Sequence, residues 1–336
     1  METIKEALAE RYPDFEGIDL MAVPQNPSTR SDYEQKWRAL REYLKLKGVT
    51  RKKFNAVWVY RFLYDHLFLE RELKATTVEK YKTALTVPLQ ESFGIDISTR
   101  DAGNLIRAMK QRRPDQLCED PQWDLNKVLK YIDEDMPDNL SDKDLLRKTA
   151  FLLLLASGMR ISELHACFRI RICCKFTSDN HLLLGHHPNF LAKNEDPTKR
   201  WKPKVIKPLI SRDGSINKLC PVASLKSYLA RSPSIKTGRL FQSTGKKSVE
   251  LTKKQLSTEI CKLIVEADPG TRARVHDVRK YASSCSLAMT MITPTELAEA
   301  IGWSNPQTFF KFYRKAIEPL SREVSLPGPD PRGQGQ

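Results

Sequence analysis

Two arginines of this 336-residue chain stand in settings suited to holding a phosphate. In "ASGMRISEL", Arg160 follows a glycine that can end a helix, and Glu163 stands three residues later, where its carboxylate could orient the guanidinium. In "VHDVRKYASS", His276 and Arg279 are three residues apart and therefore share one face of a helix. A guanidinium keeps its charge and grips two phosphate oxygens with its planar fork. These residue types point to phosphodiester chemistry, which also needs an acid and a nucleophile.

A tyrosine near the end of the chain is the candidate nucleophile. The segment "IGWSNPQTFFKFYRK" (301–315) contains a typical helix start, in which Ser304 precedes a proline at the first helical position. Aromatic residues then recur at helical spacing, among them Phe309, Phe310 and Tyr313. Such a stripe is usually a packing face. Taken alone, Tyr313 is therefore either a core aromatic or a nucleophile held in place by the stripe.

Composition narrows the class of protein. The chain is 40% hydrophobic and 29% charged, which is typical of a soluble protein with room for two folded domains. Its longest apolar run, Ala150–Ala156, is too short to cross a bilayer, and the acidic opening residues do not resemble a signal peptide. The seven scattered cysteines form no C-x-x-C pair, and the adjacent His186 and His187 point to opposite faces of a strand. We predict an intracellular protein without membrane contact, disulfide framework, cofactor or metal site.

The positive charge is spread over the chain. The net charge is +15, and residues 24–113 carry 19 Lys and Arg against 10 Asp and Glu, whereas residues 1–23 are acidic. Charge of this kind across folded regions favours a long polyanion as partner, most commonly nucleic acid. A basic but merely soluble surface is the alternative.

The periodicity of apolar residues divides the chain into two domains. Helical patterns fill the first, at 32–47, 53–72, 76–94 and 99–113. A segment with two prolines, 114–121, breaks the pattern and is predicted to be the linker. Helices also open and close the second domain, 122–322, but "CFRIRICCKF", "HLLLGHHPNFLAK" and "KVIKPLI" favour a small antiparallel sheet between them. The expected fold is mainly α, an all-helical domain followed by an α+β domain, with an acidic segment 1–23 and a disordered tail 323–336.

In chain order, the Arg160 motif, a hairpin lysine, the H-x-x-R motif and a Gly-Trp before a tyrosine-bearing helix resemble the tyrosine recombinase (phage integrase) family. The resemblance covers roughly residues 24–322. It implies an N-terminal helical DNA-clamping domain and a catalytic domain. The segments around "TTVEKYKTALTVPLQESFGI" and "WSNPQTFFKFYRK" look most like recombinases of eukaryotic mobile elements, of the Crypton and DIRS-like kinds, which implies a nuclear location.

The family implies a role for each matching residue. Arg160 and Arg279 would clamp the phosphate, with Glu163 as a supporting residue; His276 would assist proton transfer; Trp303 would donate its indole N–H; and Tyr313 would attack phosphorus. A lysine of the β-hairpin would protonate the leaving 5′ oxygen. Lys193 is the candidate for that acid. Its possible substitutes are Lys175, Lys199 and Lys202.

One spacing departs from the family pattern. Tyr313 follows Trp303 by ten residues where the common bacterial form has about nine, and Phe312 occupies the nearer place. One extra residue could turn the helix by about 100°. We interpret the difference as a change in the loop before Pro306.

The resemblance implies a mechanism and partners. The chain would cut double-stranded DNA through a 3′-phosphotyrosine, without ATP or metal, and exchange strands as a homo-tetramer on paired sites. A type IB topoisomerase uses a similar set of residues, and a recombinase-derived DNA-binding protein would retain them without activity. Both alternatives stay open at this stage.

Overall fold

The computed structural model describes residues 27–114, 121–193, 195–196, 198, 200–211, 213–232, 238–243, 249–289 and 293–301. The predictions for segment 1–23, the tail 323–336, Lys199, Trp303 and Tyr313 lie outside these residues. The chain divides into two compact units, Met1–Leu117 and Cys118–Gln336. The division falls within the segment 114–121.

The first unit is helical in its described part. Its elements are α1 (Pro27–Leu46), a 3-10 turn (Arg51–Lys53), α2 (Ala56–Arg61), which continues as a π-helix (Phe62–Glu70), α3 (Ala75–Phe93) and α4 (Arg100–Arg112). The side chain of Asn55 begins α2 by accepting a hydrogen bond from the N–H of Val57 at 3.1 Å, the usual role of an N-cap. The helical prediction for this region is confirmed.

The π-helix is the feature that periodicity did not predict. Phe62 and Leu67, like Leu63 and Phe68, are five residues apart, and all four side chains are buried. A five-residue repeat matches the wider turn of a π-helix, so burying both pairs favours this geometry over a regular α-helix.

The second unit surrounds one buried helix. Its helices are α5 (Leu125–Lys130), which continues as a π-helix (Tyr131–Asp135), α6 (Asp142–Ser157), α7 (Ile161–His165), α8 (Pro221–Arg231), α9 (Lys253–Ala267), α10 (Val275–Met289) and α11 (Pro294–Ile301). Helix α6 is buried from Leu145 to Ser157 and packs against α8, α9 and α10. Its residues 150–156 are apolar on all sides, and such a segment is stable only when it is enclosed in this way.

A small antiparallel sheet accompanies the helices, as predicted. Strands β1 (Cys174–Phe176), β2 (Leu182–Leu184) and β3 (Lys204–Ile206) pair in the order β1-β2-β3. They are shorter than the sequence predicted. The segment before β1 turns instead, because the N–H of Cys173 bonds to the carbonyl of Ile170 at 2.9 Å.

A long connection, residues 185–203, joins β2 to β3. Connections of this length without regular structure usually carry function.

In the described ranges, no helix is long and apolar enough to cross a membrane.

Candidate functional site

The turn between α6 and α7 presents the first arginine. Gly158 ends α6 with a φ of 60°, a left-handed conformation that favours glycine, and a Cβ there would come within 3.4 Å of the Ile301 side chain. Arg160 follows in extended conformation as the N-cap of α7. The glycine thus ends one helix and allows Arg160 to begin the next.

Glu163 holds the two arginines together. One carboxylate oxygen lies 2.7 Å from Nη1 of Arg160, as the three-residue spacing predicted, and the other accepts the backbone N–H of Arg160 at 2.9 Å. The second oxygen also lies 3.7 Å from Nη1 of Arg279, which comes from α10. The side chains of Glu163 and Arg279 are only 3% and 2% exposed. Two guanidinium groups with the same charge can share this buried place because the carboxylate lies between them.

Arg279 is anchored more deeply than Arg160. Its Nη1 donates to the carbonyl of Gly158 at 2.6 Å and its Nη2 to the carbonyl of Ile301 at 3.0 Å. The Arg160 side chain is 16% exposed and is therefore the more accessible of the two. Through its bond to the Ile301 carbonyl, Arg279 contacts the chain two residues before Trp303.

His276 lies one turn before Arg279 at the start of α10. The residue is exposed at the protein surface, yet the protein atoms around its ring lower the pKa of the imidazole by desolvation. The positive charges of Arg279, Lys280, Arg160 and Lys193 lower the pKa further. The imidazole is therefore neutral near pH 7 and is able to accept a proton or a hydrogen bond.

A lysine that the sequence analysis did not select belongs to the same cluster. Burial lowers the pKa of Lys204 from 10.5 to about 8; Arg279 and Arg160 add to the decrease, and Glu163 and Glu195 oppose it. These influences place the ammonium within electrostatic range of both arginines. An amine with a pKa near neutrality is suited to give up a proton.

The lysines predicted from the sequence lie in different surroundings. Lys193 is exposed in the β2–β3 connection, but its charge acts on His276. Lys175 is exposed in the middle of β1, and Lys202 is exposed two residues before β3. Of the hairpin lysines that the structure describes, Lys193 acts on His276 and Lys204 is influenced by both arginines.

An open, largely apolar pocket of about 280 Å³ adjoins the cluster. Glu163 and Lys204 line it together with residues of the β2–β3 connection, among them His186 and Trp201. Lys204 is half-buried and is thus reachable from solvent through this pocket.

A sequence signal for Lys204 did exist. Lys204 and Ile206 are two residues apart in a strand and so point to the same face, and Ile206 is buried. Their partners across the sheet, Leu184 and Leu182, are buried too. A lysine that continues an apolar strand face is a candidate for a functional inward-pointing group.

Solved structures with a similar fold are DNA recombinases. The XerH site-specific recombinase bound to palindromic difH substrate, in a post-cleavage complex, has a TM-score of 0.56 at 14% identity over 92% of this chain and 86% of that chain. The Tn1549 transposon integrase in complex with transposon right end DNA has a TM-score of 0.55 at 13% identity, covering 94% and 95%. A lambda integrase tetramer bound to a Holliday junction has a TM-score of 0.54 at 13% identity, covering 95% and 78%.

These proteins are all tyrosine recombinases or integrases, and the chain has their fold. The mainly helical architecture with a small antiparallel sheet, expected from the resemblance, is confirmed. No protein-family model and no curated protein matches the amino-acid sequence. At this level of identity the likeness defines the fold, and chemistry must be argued from the residues.

Proposed function

We propose that this protein is a site-specific DNA recombinase that cuts and rejoins double-stranded DNA through a 3′-phosphotyrosine. The observation that carries the proposal is the meeting of Arg160 and Arg279 at the buried carboxylate of Glu163, with His276 and Lys204 beside them. Paired guanidinium groups in a partly dry site are the usual means of stabilising charge that develops on a phosphate.

The reaction assigns a role to each member of the cluster. The Tyr313 hydroxyl forms a bond to phosphorus while the bond from phosphorus to the 5′ oxygen breaks. The leaving oxygen takes a proton from a lysine, for which the lowered pKa favours Lys204, with Lys193 as the second candidate. The tyrosine proton passes to a neutral acceptor, for which His276 is suited. Attack by a 5′ hydroxyl on the phosphotyrosine then rejoins the strand, so that one difficult displacement becomes two easier ones.

The two arginines differ in exposure, which suggests a different role for each. The Arg160 side chain is partly exposed to solvent and would contact the phosphate directly. Arg279 would need to exchange its bond to the Ile301 carbonyl for a phosphate oxygen. Trp303, two residues beyond Ile301 in the sequence, would donate its indole N–H to the same phosphate.

Further aspects of the proposal concern origin and assembly. We propose a eukaryotic mobile element as the source, with action in the nucleus and a homo-tetramer assembled on two DNA sites. Terminal repeats flanking the coding sequence in its genome would support that origin, and their absence would oppose it. The mass of the complex with two DNA sites, measured by light scattering, would test the tetramer.

The decisive experiment is capture of a covalent intermediate. Wild-type protein is incubated with nicked duplexes whose central sequence is randomised, so that the short 5′-hydroxyl fragment diffuses away after cleavage. DNA that remains attached after denaturation is recovered and sequenced, and the attachment site is mapped by peptide mass spectrometry. We expect attachment of a 3′ end at Tyr313 and none with Tyr313→Phe, which keeps the ring and removes the nucleophile.

The outcomes separate the proposal from its alternatives. Attachment at another residue, or attachment that persists in Tyr313→Phe, would show that the nucleophile is misplaced. DNA binding without any covalent product would favour an inactive recombinase-derived protein. Covalent attachment by a protein that relaxes supercoiled plasmids but never joins two sites would indicate a topoisomerase.

A further inference from the structure

A buried carboxylate organises the β2–β3 connection. The side chain of Glu195 is 0% exposed, although it belongs to a polar loop. One of its oxygens accepts the N–H of Trp201 at 2.8 Å and lies 3.1 Å from Nε of Arg200. The other accepts the N–H of Ala192 at 2.8 Å and lies 3.3 Å from Nε2 of His186. Burying an ionised carboxylate is costly, and these four partners together compensate for that cost.

The two backbone contacts fix the loop beside both candidate lysines. Ala192 immediately precedes Lys193, and the N–H of Glu195 bonds back to the Ala192 carbonyl at 3.0 Å, which closes a turn around Lys193. On the other side, the Trp201 ring lies 5.9 Å from Nζ of Lys204. One carboxylate therefore sets the path of the chain at both lysines.

The charge of Glu195 also acts on Lys204. It is one of two carboxylates, with Glu163, that oppose the lowering of the Lys204 pKa, while Arg160 and Arg279 act in the other direction. The groups facing Glu195 itself are His186 and Arg200. Loss of the Glu195 charge is therefore expected to move the titration of Lys204 to lower pH.

We propose that Glu195 is a positioning residue that holds the β2–β3 connection so that Lys204 faces the pair of arginines as proton donor. This inference rests on the proposed function for its catalytic meaning. The bonds around Glu195 lie within the loop and involve none of Arg160, Arg279 and His276. Its effect is thus exerted through the lysine rather than on the DNA.

The first test needs no DNA. Lysines are labelled with acetic anhydride at a series of pH values, and labelling at Lys204 is read by peptide mass spectrometry. In the wild type we expect half-maximal reactivity near pH 8, in Glu195→Gln at lower pH, and in Asp196→Asn at the wild-type value. Asp196 is the matched control, since it is an exposed carboxylate of the same loop that accepts the N–H and the hydroxyl of Thr198. An unchanged Lys204 titration in Glu195→Gln would overturn the inference.

The second test uses DNA recovered by covalent capture with the wild type. It is prepared with either the natural oxygen or a bridging sulfur at the scissile 5′ position. Sulfur leaves without a proton, so a defect in the acid should vanish with this substrate. Because acid catalysis contributes about a hundredfold or more, we expect Glu195→Gln to slow cleavage of the oxygen substrate roughly tenfold to a hundredfold. Cleavage of the sulfur substrate should stay near the wild-type rate, and equal loss on both substrates would overturn the inference.

A second variant, Glu195→Asp, distinguishes the effect of the carboxylate charge from the effect of its bonds to the backbone. It also replaces Glu195→Gln as the test if that variant does not fold. Glu195→Asp keeps the charge but is too short to reach both N–H groups, so the oxygen substrate should be cleaved slowly although the carboxylate charge is retained. A wild-type rate in this variant would contradict the positioning role. If wild-type protein attaches to no DNA, the proposed function fails, while the labelling result still decides whether Glu195 controls Lys204.

Discussion

Replacement of Lys204 by Met should stabilise the protein and, under the proposed function, slow DNA cleavage by about a hundredfold or more, because it removes the favoured proton donor. Burial lowers the pKa of Lys204 from 10.5 to about 8, so the folded state binds the proton less tightly than the unfolded state. At 1.36 kcal/mol per pKa unit, this difference costs the wild type about 3 kcal/mol at pH 7. That figure is an upper limit, because the side chain is only half-buried and solvent screens its charge. Methionine fills the same space without the charge.

The pH dependence has a definite sign. The cost is fully present below pH 8 and disappears as pH rises from about 8 to 10.5, because the lysine is then neutral in both states. The free energy of unfolding of Lys204→Met should therefore exceed that of the wild type at pH 7, and the two should converge near pH 10.5. For a unit of this size, about 3 kcal/mol corresponds to an increase in Tm of roughly 6–12 °C.

Urea denaturation at a series of pH values measures this difference. Lys202→Met is the matched control, since Lys202 is exposed two residues away and its replacement should change stability little at any pH. Equal stability of Lys204→Met and wild type at pH 7, or a difference that does not change with pH, would refute the argument that Lys204 carries a desolvated charge.

Three further substitutions test the cluster. Arg160→Lys should bind DNA normally but lose roughly a hundredfold to a thousandfold in cleavage, because a point charge does not replace the fork; recombination at the wild-type rate would exclude a phosphate clamp. Glu163→Gln should lower the free energy of unfolding by about 3–5 kcal/mol, since Arg160 and Arg279 lose their shared buried partner; a loss under 1 kcal/mol in urea denaturation would contradict this. Lys193→Met should raise the pKa of His276 in an NMR titration, and an unchanged value would mean that Lys193 does not act on the imidazole.

The sequence by itself determined the elements whose pattern is local. Helical periodicity predicted the helices of both units, and two polar pairs within one turn, Arg160 with Glu163 and His276 with Arg279, were readable from their spacing. The glycine at 158 predicted the end of a helix, and the structure confirms it. These features depend on neighbours three or four residues away, which the period of a helix fixes.

Tertiary structure alone decided which distant groups meet. Arg279 reaches Glu163 only because α10 packs against α6, and Lys204 enters the cluster only through the register of β3 against β2. No pattern in the sequence marks Glu195, because a carboxylate in a polar loop is ordinarily exposed. In the structure it is buried and accepts hydrogen bonds from backbone N–H groups on both sides of it in the chain. Long-range packing and strand register depend on the whole chain, so spacing along the sequence could not specify them.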